Sequence, residues 1–232
     1  MDSSLYLFLT GPGLYISLAV FFIGLGARFV LYFMGLDWKL ERIGYKSDLP
    51  HGLKGGLHSA FSWLIPFGTR GWRAQPFMAS AFFLLHFGAV LVPLFLIGHN
   101  VILREKFGFS LPSLPQPVTD VLTVMSIVGL LLLILRRIAL AEVRILSGWL
   151  DYGLLLLVLA LFVSGFFATQ GIGVYECCLL GHIFLGELLL ILAPFTKMSH
   201  IALYFASRIQ IGMDFAIKRG GYNRKSGPYF PW

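Results

Sequence analysis

Five long apolar stretches alternate with shorter polar connections along the chain. A helix needs about 20 apolar residues to cross a bilayer, and helices satisfy every backbone polar group internally. The pattern therefore predicts an all-α polytopic membrane protein with five transmembrane helices in one domain. The predicted spans are residues 12–34, 76–99, 117–135, 148–169 and 177–206.

Composition supports this interpretation. Of the 232 residues, 57% are hydrophobic and only 12% are charged, too few charges to cover a water-soluble globule. A soluble enzyme and a disordered chain are both excluded. The net charge of +7 does not indicate nucleic-acid binding, because the basic residues lie mainly in the connections between the spans.

The basic residues predict the orientation. The connections 35–75 and 136–147, together with the C-terminal tail, hold 14 lysines and arginines, whereas the opposite side holds only Arg104 and Lys106. Cytoplasmic loops of membrane proteins carry the excess of positive charge. We therefore expect the N-terminus outside and the C-terminus in the cytoplasm.

Two segments outside the spans have a predicted structure that differs from that of an ordinary connecting loop. Apolar residues recur at helical spacing over 51–66, which predicts an amphipathic helix in the headgroup region that covers the inner face or contacts a partner. The tail 220–232 is rich in Gly, Tyr and Pro and is expected to be irregular.

Four histidines lie within two of the predicted spans and are the candidate metal ligands. His86 and His99 belong to the second span, and His182 and His200 to the fifth. The 18-residue interval between the last two returns to one face of a straight helix after five turns, about 27 Å further on. Antiparallel spans would pair His99 with His182 and His86 with His200.

The second span fits this scheme less well. The 13 residues from His86 to His99 turn a straight helix by about 220°, so a kink at Pro93 would be needed to bring the rings to one face. The alternative pairs His86 with His182 and leaves His200 to His58 or His51.

Two separated pairs of imidazoles favour haem over zinc. A zinc site needs three or four converging ligands, whereas each pair here offers two axial nitrogens to a flat macrocycle. No CxxCH motif is present, and the two cysteines, Cys177 and Cys178, are adjacent. The expected cofactors are therefore two non-covalent haem b groups with both axial positions filled, which favours electron transfer.

The histidine-bearing segments resemble a known family. In the fifth span, the order of histidine, Pro-Phe and histidine is similar to that of the respiratory nitrate reductase gamma subunit. The closer resemblance is to cytochrome b subunits of transmembrane redox complexes in sulfate-reducing bacteria, of the high-molecular-weight cytochrome complex type. The phrases that carry this resemblance are PLFLIGHN, DYGLLLL, YECCLLGH and PFTKMSH.

The resemblance implies a dihaem subunit of a respiratory complex in the bacterial inner membrane, serving sulfate respiration. Electrons would pass between a periplasmic multihaem cytochrome c or menaquinol and a cytoplasmic iron-sulfur subunit, beside other membrane subunits. One departure matters, because the nitrate reductase subunit has ten residues between its second-helix histidines. Aligning Pro93 with a proline of that family makes His86 the outer-haem ligand and leaves Pro76 at the inner position.

Three further polar residues are candidates for a quinone or proton site. Glu187 lies in the middle of the fifth apolar stretch, where a carboxyl group is costly unless it is protonated or paired, and Tyr175 and Glu176 lie at the predicted outer mouth. Two rival functions stay open. The first is a haem-free carrier or scaffold with histidines for proton relay or packing, and the second is a quinone reductase that acts alone.

Overall fold

The computed structural model describes residues 4–36 and 49–216, and this part of the chain is helical without a strand. Its α-helices, in chain order, are α1 (Ser4–Phe8), α2 (Leu14–Met34), α3 (Leu49–Leu64), α4 (Arg70–Ala74), α5 (Pro76–Phe95), α6 (Ile97–Phe107), α7 (Gln116–Ala139), α8 (Ala141–Ile145), α9 (Trp149–Gln170), α10 (Tyr175–Leu192) and α11 (His200–Ala216). The predicted tail 220–232 lies outside the described residues.

Five helical segments within that part are long and apolar enough to cross a membrane, which confirms the all-α, five-span fold. They cover Ser4–Met34, Pro76–Phe95, Gln116–Ala139, Trp149–Gln170 and Tyr175–Phe195. The first begins earlier than predicted, since α1 and a π-helical turn over Leu9–Gly13 precede α2. The chain is thus a multi-pass membrane protein. Which side of the membrane holds each terminus stays a prediction.

The second predicted span is broken before its end. Helix α5 stops at Phe95, Leu96 is extended, and His99 lies on the separate helix α6. The break follows Pro93 by less than a turn, where the missing proline N–H already weakens the helical hydrogen bonds. The single span predicted over 76–99 is therefore wrong, and the straight-helix angle between His86 and His99 does not apply.

The fifth predicted span is broken as well. After α10, a 3₁₀ turn over Ala193–Phe195 leads to an extended Thr196 and a second 3₁₀ turn, and α11 begins at His200. Pro194 lacks the N–H that would continue the helix, and Thr196 Oγ1 accepts a hydrogen bond from the Met198 amide at 3.3 Å, starting a new turn. A continuous helix over 177–206 was the wrong prediction, and with it the 18-residue repeat on one face.

The chain forms two compact units. The first contains residues 75–189 and the segment before Pro12, and its core is the pair α5 and α7. Glycines allow this pair to approach closely: a Cβ on Gly129 would lie 2.7 Å from the Leu85 amide nitrogen. Ser126 Oγ donates to the Leu85 carbonyl at 3.0 Å. Small residues and a buried hydroxyl are the usual means of helix association in membranes.

The second unit contains residues 12–74 and those from Leu190 onwards. Its helices α3 and α11 pack backbone to backbone, because a Cβ on Gly212 would lie 2.5 Å from the Gly55 carbonyl oxygen. The Tyr204 hydroxyl donates to the Ala60 carbonyl at 2.8 Å. Helix α3 corresponds to the amphipathic helix predicted over 51–66, and its exposed apolar residues are Leu53, Leu57, Phe61 and Leu64.

Candidate functional site

The imidazole rings of His99 and His182 lie close together and nearly parallel within the first unit. Their centroids lie 6.0 Å apart and their planes differ by only 8°. His99 is on the first turn of α6, and His182 is in the middle of the transmembrane part of α10. The structure thus brings together two residues that lie 83 positions apart in the sequence.

This separation is compatible with two imidazoles that bind a single iron. A metal-to-imidazole bond of about 2 Å and the roughly 1 Å from the nitrogen to its ring centre place opposed centroids about 6 Å apart. Aromatic packing covers the same range of distances. The distinction between packing and ligation therefore depends on the chemistry of each ring.

Both rings are held by a hydrogen bond at Nδ1, which leaves Nε2 available as a ligand. His99 Nδ1 lies 3.1 Å from the Pro93 carbonyl oxygen, and His182 Nδ1 lies 2.9 Å from that of Leu161. Since a carbonyl can only accept, each Nδ1 carries the proton and each Nε2 carries the lone pair. Metal-ligating histidines are oriented by this second hydrogen bond, which fixes both the tautomer and the ring plane.

The break after α5 supplies the anchor of His99. Leu96 is extended, with φ −70° and ψ 134°, so the last carbonyls of α5 lose the regular amide partners of a continuing helix. The Pro93 carbonyl accepts from His99, and the Phe95 carbonyl accepts from the Leu114 amide at 2.9 Å. The break therefore places His99 on a new helix and leaves the Pro93 carbonyl free to orient its ring.

A glycine makes room for His182 on the neighbouring helix α9. A Cβ on Gly165 would lie 2.6 Å from His182 Cε1 and 2.7 Å from Nδ1, closer than van der Waals contact allows. The ring can therefore reach the Leu161 carbonyl only because this position lacks a side chain. This role of Gly165 depends on the approach of α9 to α10, which the sequence alone does not show.

His86 and His200 have the same type of anchor. His86 Nδ1 lies 2.8 Å from the Phe82 carbonyl oxygen, and the ring stacks on Phe82 at a centroid distance of 3.8 Å. His200 Nδ1 lies 2.9 Å from the Lys197 carbonyl oxygen. All four predicted ligands thus have Nδ1 bonded to a carbonyl. His86 belongs to the first unit and His200 to the second, and their pairing stays a prediction.

Helix α2 holds the backbone that leads into His200. Arg28 Nε donates to the Pro194 carbonyl at 2.8 Å, at the break that follows α10. A Cβ on Gly24, one turn before Arg28, would lie 2.6 Å from the Pro194 Cβ. The proline is therefore fixed by a close approach of α2 on one side and a charged donor on the other, six residues before α11 begins at His200.

The other two histidine candidates, His51 and His58, both lie on α3. His58 Nε2 lies 3.4 Å from the Ser62 hydroxyl, on the same helix. This contact is made to a side chain, through the nitrogen that would bind a metal. Within residues 4–36 and 49–216, no three His, Cys, Asp or Glu side chains converge as a closed metal site would require.

The three candidates for a quinone or proton site do not converge. Glu187 is only 8% exposed, and its Oε1 is buried without a hydrogen-bond partner in the described part of the chain. Tyr175 and Glu176 are exposed at the start of α10, and twelve residues of helix separate Tyr175 from Glu187 by about 18 Å. One headgroup cannot contact both ends of this set.

Asn100 is a residue that the sequence interpretation passed over. It is 4% exposed, it follows His99 directly, and both ends of its carboxamide are hydrogen bonded to the loop before α7. The available signal was an amide side chain at the end of an apolar segment, where buried polar groups must be satisfied.

Comparison with known proteins gives one close relative and little else. The chain is 60% identical over 228 residues to a protein of Nitratidesulfovibrio vulgaris strain Hildenborough, and the match covers 98% of this chain and 100% of the relative. No family model matches the chain, and no solved structure matches it. At this identity and coverage, the chain belongs to the same protein family as the Nitratidesulfovibrio vulgaris protein.

Proposed function

We propose that the chain is a b-type cytochrome subunit that carries electrons through the membrane. The observation that carries the proposal is the facing pair His99 and His182, with centroids 6.0 Å apart, nearly parallel planes and both Nδ1 atoms anchored to carbonyls. A haem b held between these rings supplies one-electron redox chemistry. With both imidazoles bound to the iron, no position would remain for oxygen, which favours electron transfer.

The residues of the chain contribute binding and orientation. His99 and His182 hold the group through Nε2, and the carbonyls of Pro93 and Leu161 fix the ring planes and make the ligands more basic. Gly165 provides the space in which the His182 ring lies. The apolar helices around them keep the site at low dielectric, which limits the reorganisation that accompanies each electron.

A second haem b between His86 and His200 is part of the proposal. Its support is the sequence: two histidines on each of two segments, and the resemblance to dihaem subunits. The carbonyl-bonded Nδ1 of both residues is compatible with ligation. Two haems at different depths would give electrons a route across the bilayer.

The partners and the compartment follow from the resemblance and the charge distribution. We place the subunit in the bacterial inner membrane, within a respiratory complex that has other membrane subunits. It would connect a periplasmic multihaem cytochrome c or the menaquinol pool with a cytoplasmic iron-sulfur subunit. A quinone pocket near the outer haem would use Glu187 rather than Tyr175 or Glu176, since Glu187 alone of the three is buried.

Haem content measures this proposal directly. The pyridine haemochrome assay on purified protein is expected to give two haem b per chain for the wild type, and one for His99→Ala and for His182→Ala. His58→Ala is the matched control, a histidine outside the proposed pairs, and it is expected to keep both haems. A wild-type protein without haem would refute the proposal and favour a carrier or scaffold. Haem lost in His58→Ala but kept in His99→Ala would overturn the ligand assignment.

A further inference from the structure

We propose that Asn100 is a positioning residue that sets the orientation of the His99 ring by fastening the loop 109–115 over the break between α5 and α6. The inference rests on the proposed function, because it treats His99 as an axial ligand. It concerns the residue that follows His99 in the chain, and it assigns a role to a loop outside the five spans.

The break between α5 and α6 leaves a backbone carbonyl that needs a hydrogen-bond donor from elsewhere in the chain. Where Leu96 leaves the helical conformation, the carbonyl of Phe95 points out of α5 without a following turn of the same helix to receive it. The Leu114 amide donates to this carbonyl at 2.9 Å. Residues 109–115 form no regular structure, so the returning loop takes the place of the missing turn.

Asn100 fastens that loop at two points. Its Oδ1 accepts the Leu111 amide at 3.1 Å, and its Nδ2 donates to the Ser113 hydroxyl at 3.1 Å. The side chain is 4% exposed, so its carboxamide is largely shielded from water. An amide whose acceptor and donor are both engaged at a buried position makes the loop conformation specific, since another loop conformation would leave these groups unpaired.

The same residue is tied to the first turn of α6. The backbone N–H of Asn100 donates to the Leu96 carbonyl at 3.1 Å, and His99 is the preceding residue. His99 lies on the same first turn of α6 as Asn100, so a rotation of α6 about its axis would move the His99 ring relative to the His182 ring. We expect the loop, by holding this turn, to set the angle between the two ring planes, which is 8° in the structure.

The angle between axial imidazoles has its own spectroscopic signature. Near-parallel rings give ferric low-spin haem a rhombic electron paramagnetic resonance signal, and crossed rings give a strongly anisotropic one, because the ring planes set the splitting of the iron d orbitals. We expect the haem bound by His99 and His182 to give a rhombic signal in the wild type, and both this haem and its signal to be lost in His99→Ala. In Asn100→Leu, both loop contacts are lost, and that signal is expected to shift towards the anisotropic form while haem remains bound.

Matched variants separate positioning from general stability. Asn100→Asp retains an acceptor for Leu111 and lets the Ser113 hydroxyl donate, so it is expected to keep the wild-type signal. Ser113→Ala removes one contact at an exposed residue and is expected to give a smaller shift in the same direction. Thr123→Val removes a buried hydrogen bond within α7 (Oγ1 to the Thr119 carbonyl, 2.7 Å) and is expected to leave the signal unchanged.

The outcomes distinguish this inference from the proposed function. A wild type without haem would refute the function itself. A wild type with haem whose signal is identical in Asn100→Leu and Ser113→Ala would refute the positioning role alone. If Asn100→Leu does not fold, the Ser113→Ala signal decides: a shift supports the inference, and an unchanged signal overturns it.

Discussion

At the scale of single residues, the site depends on side chains that are absent as much as on those that are present. Gly165 lies where a Cβ would be 2.6 Å from the His182 ring. Because the ring is bonded to the Leu161 carbonyl on the same helix as Gly165, it cannot move away without losing that bond. The position is therefore constrained by the histidine and not by helix packing in general.

Gly165→Ala is expected to weaken haem binding selectively at the proposed site of His99 and His182. The methyl group would push the His182 ring from its carbonyl, and loss of such an outer contact typically lowers metal-site affinity by about 10 to 100-fold. Titration of the haem-depleted protein with haemin, followed by absorbance, measures the effect. Gly153→Ala on the same helix has open space around its Cβ and should bind haem as the wild type does. Equal affinities for the two variants would contradict the role given to Gly165.

The sequence predicted some of the residues of the candidate site. It proposed four histidine ligands and paired His99 with His182, and the structure places those two rings 6.0 Å apart, although the continuous helices on which the spacing argument relied are broken. It grouped Glu187 with Tyr175 and Glu176 by their predicted depth and chemistry, and the structure separates them along α10. Backbone anchors such as the Leu161 carbonyl have no sequence signal, since every residue carries a carbonyl.

At the scale of elements, two proline breaks determine where the histidines lie. Pro93 precedes His99 by six residues, and Pro194 precedes His200 by the same interval. In each case a carbonyl at the break is met by a donor from another element, the Leu114 amide or Arg28 Nε. Counting apolar residues predicted five spans, but it could not locate either break. The kink at Pro93 was expected from the proline itself, whereas Pro194 was taken as part of a continuous helix.

The packing of α3 on α11 gives a prediction at this scale. A Cβ on Gly212 would lie within 2.7 Å of atoms of Gly55, Ser59 and Gly56, so Gly212→Ala forces the two helices apart. Overpacking of this kind typically costs about 1 to 3 kcal/mol. Thermal unfolding in detergent, followed by circular dichroism, is expected to show a lower midpoint for this variant.

Gly26→Ala provides the comparison for Gly212→Ala. Gly26 lies on α2 in the same unit, and its added Cβ would meet nothing within 4 Å. Alanine is the better helix former, so this variant is expected to unfold at or slightly above the wild-type midpoint. If both variants unfold together, the close approach of α3 and α11 does not determine stability.

At the scale of the whole molecule, composition and hydropathy predict the fold class because the bilayer leaves few solutions. A chain with 57% hydrophobic residues and five long apolar stretches must bury its backbone polar groups in helices. The function is less constrained, since the same five spans would suit a carrier. What would distinguish a cytochrome is the chemistry of the histidines, and the first unit brings two of them, His99 and His182, within 6.0 Å of each other.

The central claim is that His99 and His182 bind one iron from opposite faces, and a ligand exchange tests it most directly. Near-infrared magnetic circular dichroism of the ferric protein distinguishes bis-histidine from histidine–methionine ligation. For His182→Met, we predict that one of two bis-histidine haems converts to histidine–methionine ligation or is lost, whereas His58→Met keeps both. Two intact bis-histidine haems in His182→Met would contradict the account.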